Sequence, residues 1–223
     1  KGEAAKKLAL AFAIMELVVA VFAAIQFQRN AEPQFIFNQP WISSLGIHFH
    51  VAMDGISLLL VLLTAVLVPL IILSSFDREI KNPSSFYALV MFMQMALIGV
   101  FTAMDGFLFY IFWELALIPI WFICLVWGGE NRARITFKFF LYTLLGSLFM
   151  LVALIYVYLH TGSHSFDINE LYAAGRSLSS KNQAFVFWAM FLAFAIKMPV
   201  FPFHTWQPDT YVTAPTQGTM LLS

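Results

Sequence analysis

Apolar residues fall along the chain in long unbroken runs, at approximately 8–27, 56–75, 84–104, 106–127, 135–160 and 184–203, separated by stretches where charged residues, proline and glycine collect. A helix rises about 1.5 Å per residue, so a hydrocarbon core of about 30 Å takes roughly 20 apolar residues to cross. Each run meets that length. None alternates apolar with polar positions as a barrel strand must, with lipid on one side and a polar lumen on the other. The pattern predicts an all-α, polytopic transmembrane helical bundle, a single domain over 1–223. From Ala214 the stretch Pro215-Thr216-Gln217-Gly218 starts a further helix at which the sequence stops, and the chain opens at Lys1 without a methionine. Both ends are therefore expected to be incomplete, with a seventh span beginning near 214. The segment Lys1 to Lys7 before an apolar run also fits a secretory leader. That run is longer than a leader's core and carries Glu16 in its middle, so a spanning helix is the reading adopted.

The connections alternate between two sides. One side collects Lys1, Lys6, Lys7, Arg78, Lys81, Arg132 and Arg134, and the other has Arg29, Arg176 and Lys181. The positive-inside rule then assigns residues 1–7, 76–83 and 128–134 to the cytoplasm and the two long connections, 28–55 and 161–183, to the outside. In the first connection, Phe35-Ile36-Phe37 and Ile47-His48-Phe49-His50-Val51 are β-prone pieces punctuated by Pro33, Pro40 and Gly46, a hairpin pattern. In the second, Phe166 to Tyr172 is expected to form a short interfacial helix.

Composition sharpens this. The chain is 61% hydrophobic and 11% charged, where a soluble domain carries about 25% charged residues and cannot do with half of that. Zero net charge and a pI near 7.1 supply no basic field for nucleic acid, which is excluded as the main partner. The single cysteine, Cys124, excludes an intrachain disulfide and any cysteine-built zinc or iron-sulfur site. No glycine-rich phosphate loop, zinc-protease motif or hydrolase serine elbow occurs.

The informative residues are the charges left inside the spans. A charge at the bilayer centre costs roughly 2.5–3.5 kcal/mol on insertion scales, so each needs a reason. Glu114 lies near the middle of its run, five residues before Pro119, whose missing N–H frees a carbonyl and is expected to kink the helix beside a polar pocket. Its alternative role is a hydrogen bond that fixes packing. Lys197 precedes Pro199, Pro202, Pro208 and Pro215, a density that predicts a broken helix, which membranes tolerate where the freed backbone is buried or lines a wet cavity. A change in the state of Glu114 would alter the protonation of Lys197; the alternative is a lysine that snorkels to the headgroups. Lys138, one turn after Arg134, either snorkels or reaches the Glu114 side of the bundle. His204 is a candidate relay, since histidine titrates near neutral pH, or a structural donor beside the break. Glu16 divides between packing and relay and is left out of the site. His48 and His50 alternate on the predicted strand as metal ligands would, with no third ligand in view. The six tryptophans read mostly as interface anchors, and Gly99, Gly106 and Gly146 as points of close helix approach.

Three runs in order, Phe109-Tyr110-Ile111-Phe112-Trp113-Glu114-Leu115-Ala116-Leu117-Ile118-Pro119, Lys138-Phe139-Phe140-Leu141-Tyr142-Thr143, and Lys197-Met198-Pro199 through His204-Thr205-Trp206, Pro208-Asp209 and Ala214-Pro215-Thr216, resemble the antiporter-like membrane subunits of respiratory complex I (NADH-quinone oxidoreductase). The likeness is to the subunit M (mitochondrial chain 4) branch, and His50 to Leu59 also resembles that branch's entry to a helix. The resemblance implies a longer protein of about fourteen spans in inverted repeats, of which this chain supplies the second to seventh and the start of the eighth. It implies that Glu114 and Lys197 are the charge pair of a proton channel; Lys138 and His204 join them as relay candidates on the reading of the residues alone. It also implies neighbouring membrane subunits as partners, FMN and iron-sulfur clusters in other subunits, quinone as acceptor, no cofactor in this chain, and a bacterial inner (plasma) membrane. Two departures bear on the carry-over. Gln207 stands where the family has leucine before Pro-Asp, and the lysines of the eighth and twelfth spans lie beyond Ser223. Two rival readings are a Na+/H+ antiporter or membrane-bound hydrogenase subunit of the same superfamily, and a passive membrane scaffold.

Overall fold

A computed structural model describes residues 2–28, 30 and 32–222. Among them the long helices are α1 (Gly2–Gln26), α2 (Gly55–Leu73), α3 (Pro83–Thr102), α4 (Gly106–Trp127) and α5 (Arg132–Tyr158), all long and apolar enough to cross a membrane. They overlap the first five apolar runs, α1 beginning six residues before its run and the other four lying within three residues of theirs. A two-stranded antiparallel hairpin, β1 (Gln34–Ile42) with β2 (Ile47–Met53), joins α1 to α2, and α6 (Ile168–Ser177) forms the short helix expected between the fifth and sixth runs.

The sixth run is not one helix. It folds as α7 (Ser180–Lys197), stops, turns through a 3-10 segment at Phe203–Trp206, and resumes as α8 (Gln207–Thr213) and α9 (Thr216–Leu222). Pro199 and Pro202 supply no N–H to continue the ladder, so Lys197 is the last residue of α7 rather than a residue inside a span over 184–203. The broken helix expected near Lys197 is present.

Loops gather at two ends. At one, Lys6 Nζ donates to the Phe76 carbonyl at 2.9 Å, Trp127 Nε1 to the Lys81 carbonyl at 2.6 Å, and Arg78 to Thr216 Oγ1 at 3.0 Å. The basic connections thus share one face, as the charge bias requires; Lys1 and Arg29, which entered that comparison, lie outside the described residues. At the other end the hairpin is tied to the helix starts. The Met104 amide donates to the His50 carbonyl at 2.8 Å, and the Gly106 amide donates to the Phe166 carbonyl at 2.7 Å. His50 Nδ1 meets Asp167 Oδ2 at 3.1 Å, and His48 Nδ1 meets Asn38 Oδ1 at 2.7 Å, so both histidines serve the hairpin's attachments. Among the described residues no group of three or more metal-ligating side chains is found.

Acidic caps start the helices at this end. Asp54 accepts from the Ser57 amide, Asp167 from the Asn169 amide, and Asp105 from the amides of Phe107 and Leu108. Asp105 is 1% exposed and also accepts from the His48 amide at 3.0 Å, so one buried carboxylate caps α4 and anchors β2.

The helices pack in sequence, α1 on α2 and α3, α3 on α4, α4 on α5, and α5 on α7. Glycines set the tight approaches. A Cβ on Gly99 would stand 2.3 Å from the Phe112 ring, one on Gly106 2.6 Å from Leu171, and one on Gly146 3.2 Å from Ile196.

Candidate functional site

The site is built where α4, α5 and α7 meet. Glu114 is the ninth residue of α4, which continues unbroken through Pro119. On α5, Gly146 and Ser147 are neighbours with different duties. Bare Gly146 lets Ile196 of α7 close in, which sets the end of α7, and with it Lys197, at the level of Ser147. Ser147, 2% exposed, lies close to both Glu114 and Tyr110. Its hydroxyl donates to the Leu144 carbonyl at 2.8 Å, the back-bond of a helical serine.

Glu114 and Lys197 are half-buried and interact electrostatically. They are not in direct contact: the ion pairs among the described residues are Lys7–Glu3, His50–Asp167 and Lys138–Asp209. Lys197 Nζ instead sits over the Trp113 ring, 5.3 Å from its centroid, an arrangement that steadies an ammonium without neutralising it. Trp113 therefore works inside the site and not as an interface anchor. Lys197 also lines a cavity of about 310 Å³ among α2, α3, α4 and α9, whose other walls include Thr64, Met93, Ala116 and Ile120.

The break after Lys197 is held by replacements for the lost helical bonds. The Met198 amide makes the last helical bond of α7, to the Phe194 carbonyl, and the Val200 amide reaches back five residues to the Ala195 carbonyl, both at 2.8 Å. The Ile196 carbonyl accepts from Trp206 Nε1 at 2.9 Å. Trp206 is 3% exposed and packs 5.1 Å from Phe139, again inside the protein and not at an interface.

Two of the four expected site residues meet there. Lys138 does not reach Glu114. It lies nine residues before Ser147 on α5, about 13 Å down the helix axis, and donates to the Thr205 carbonyl at 2.7 Å and to Asp209 Oδ2 at 3.0 Å. Distance from the end of an apolar run gave its depth but not which helix segment would stand beside it. His204 sits in the 3-10 turn; its Nδ1 is buried with no hydrogen-bond partner among the described residues, and its ring lies 5.6 Å from that of Phe201. Ser147, Tyr110 and Trp113 were absent from the sequence-based site because an uncharged residue in an apolar run costs too little to stand out. Gly146 beside Ser147 was the one available signal.

Residues 103–223 match the family model described as NADH:quinone oxidoreductase/Mrp antiporter, transmembrane, and residues 7–101 match that of NADH-ubiquinone oxidoreductase chain 4, amino terminus. The F(420)H(2) dehydrogenase subunit M of Methanosarcina mazei is 42% identical over 97% of this chain and 46% of its own length. The NADH-quinone oxidoreductase subunit M of Rickettsia conorii is 38% identical over 94% of this chain and 42% of its own. A chain of respiratory complex I from Thermus thermophilus superposes with a TM-score of 0.82 at 30% identity, covering 100% of this chain and 50% of that one. The chain spans about half the length of the relatives it matches. Two adjoining family matches, with relatives that carry the same subunit letter, place this chain in the NADH:quinone oxidoreductase/Mrp antiporter membrane family, on its chain 4 (subunit M) branch.

Proposed function

We propose that this chain is part of a proton-translocating membrane subunit of an NADH-quinone oxidoreductase, with Glu114 and Lys197 as its exchanging charge pair. The observation that carries the reading is that Gly146 admits Ile196, so α7 ends with Lys197 level with Ser147 and Glu114, at the wall of a cavity. While Glu114 is ionised, its charge and the Trp113 face hold Lys197 as an ammonium. When Glu114 is neutralised or displaced, the ammonium loses its counter-charge in a low-dielectric setting and passes its proton on; restoring the carboxylate recharges it. Lys138 fixes the turn after α7 through Thr205 and Asp209 and takes no part in the exchange.

Moving a charge against the membrane potential costs about 2.3 kcal/mol per 100 mV, so energy comes from redox chemistry in partner subunits, which carry the FMN and iron-sulfur clusters and deliver electrons to quinone. Neighbouring membrane subunits take part in the path, of which this chain holds one charge pair.

The test is NADH-driven proton uptake into inverted vesicles from cells with Glu114→Gln in the full-length subunit, with assembly read on a native gel. Loss of most uptake in an assembled complex is expected. Normal uptake by an intact complex overturns the reading in favour of a scaffold. A second reading, a subunit fed by another donor, is favoured by the 42% identity to the F(420)H(2) dehydrogenase subunit. The donor that drives uptake separates the two, and sodium-dependent exchange without any donor would point to an antiporter.

A further inference from the structure

Gln94 on α3 is 0% exposed, and neither its Oε1 nor its Nε2 has a hydrogen-bond partner among the described residues. An amide left unpaired in apolar surroundings costs roughly 2–7 kcal/mol, and buried polar groups in folded proteins are satisfied by protein or by ordered water. What Gln94 faces follows from the packing of α1 on α3, which run in the same direction. Near their first turns, Ala5, Ala9 and Phe12 of α1 line one groove with Ser84, Tyr87 and Met91 of α3. Farther on, Leu17 and Ala20 share a cluster with Ile98 and Phe101. Between these two registers stand Glu16, one turn beyond Phe12, and Gln94, between Met91 and Ile98. Extending the register from the first groove to the second brings Glu16 and Gln94 to the same depth, each mid-span and with Glu16 half-buried.

The groups are chemically complementary. A neutral carboxyl offers one O–H and one carbonyl oxygen, and a primary amide offers N–H donors and one carbonyl oxygen, so each satisfies the other through one bridging water. An ionised Glu16 would meet the insertion cost of a mid-membrane charge with no ion-pair partner among the described residues. We propose that Glu16 and Gln94 form a second polar site inside the membrane, in which the protonated Glu16 carboxyl and internal water satisfy the Gln94 amide, so that α1 and α3 hold an exchangeable proton apart from the Glu114–Lys197 pair. The inference rests on the α1–α3 register and not on the role of that pair.

The experiment is infrared difference spectroscopy of the assembled complex carrying the full-length subunit, in H₂O and D₂O, over the carbonyl stretch of protonated carboxylic acids. Glu16→Gln is expected to assemble and to remove one deuterium-sensitive band, and Gln94→Leu to keep that band but shift it. In thermal unfolding each variant should lower the midpoint, and the double variant should lower it by less than the two losses added. No band lost in Glu16→Gln, a band unmoved in Gln94→Leu, or a midpoint raised by Gln94→Leu would each overturn the proposal. Should Gln94→Leu not assemble, Gln94→Met carries the same readings.

Discussion

The indole of Trp206 donates to the carbonyl of Ile196 at 2.9 Å, and through that bond the segment after the break holds the end of the helix that carries Lys197. Trp206→Phe keeps the ring contact with Phe139 but leaves a buried carbonyl without its donor, which costs about 1–3 kcal/mol. A lower thermal midpoint of the purified complex is expected, together with reduced proton uptake, because Lys197 loses its fixed position. An unchanged midpoint would show that the carbonyl has another donor.

Asp105 is the second such tie. Its buried carboxylate takes three backbone N–H groups, from His48, Phe107 and Leu108. Loss of a helix cap costs about 0.5–2 kcal/mol, and the orphaned His48 amide adds about 1–3 kcal/mol. Asp105→Ala should therefore weaken assembly strongly. Asp105→Asn, which keeps an acceptor oxygen, should be milder. Native-gel yield and protease sensitivity of the hairpin measure the difference.

Gly146 sets the approach of α7, since a Cβ there would meet three Ile196 side-chain atoms at 3.2–3.3 Å. Gly146→Val overpacks the contact at a cost of about 1–3 kcal/mol and should reduce proton uptake by displacing Lys197. Gly55, whose added Cβ would meet nothing within 4 Å, is the control. Gly55→Ala should be neutral or stabilising by about 0.5–1 kcal/mol. Thermal midpoints and vesicle uptake of both variants test the contrast.

Asp54 sits outside the spans at the start of α2, and its carboxyl is held below the usual carboxylate range by hydrogen bonds from the Ser57 amide and hydroxyl. A folded value below the unfolded one, near 3.9, makes the cap's contribution fully present above the unfolded value and lost as pH falls through the folded one. Asp54→Ala should cost about 1 kcal/mol at neutral pH. The gap from wild type should close as pH drops below about 4. Hydrogen exchange in the first turn of α2, followed across that range in lipid nanodiscs, reads it directly.

The first five runs, the hairpin, the short helix at 168–177 and the break near Lys197 were legible because length, hydropathy and proline act locally, and because a charge inside a long apolar run is costly enough to mark itself; the sixth run reads as one span to 203, whereas its helix ends at Lys197. Glu114 and Lys197 could be named on that ground alone. Sequence by itself thus determined the membrane-spanning class, where the long helices fall along the chain and which charges demanded an account. Tertiary structure decided everything that depends on which side of a helix faces which neighbour. It sent Lys138 to Thr205 and Asp209, turned Trp113 and Trp206 inward, put Ser147 near Glu114, and buried the Gln94 amide without a hydrogen-bond partner among the described residues. The reason is that depth in a membrane follows from counting residues, whereas direction around a helix becomes a contact only once the helices have packed.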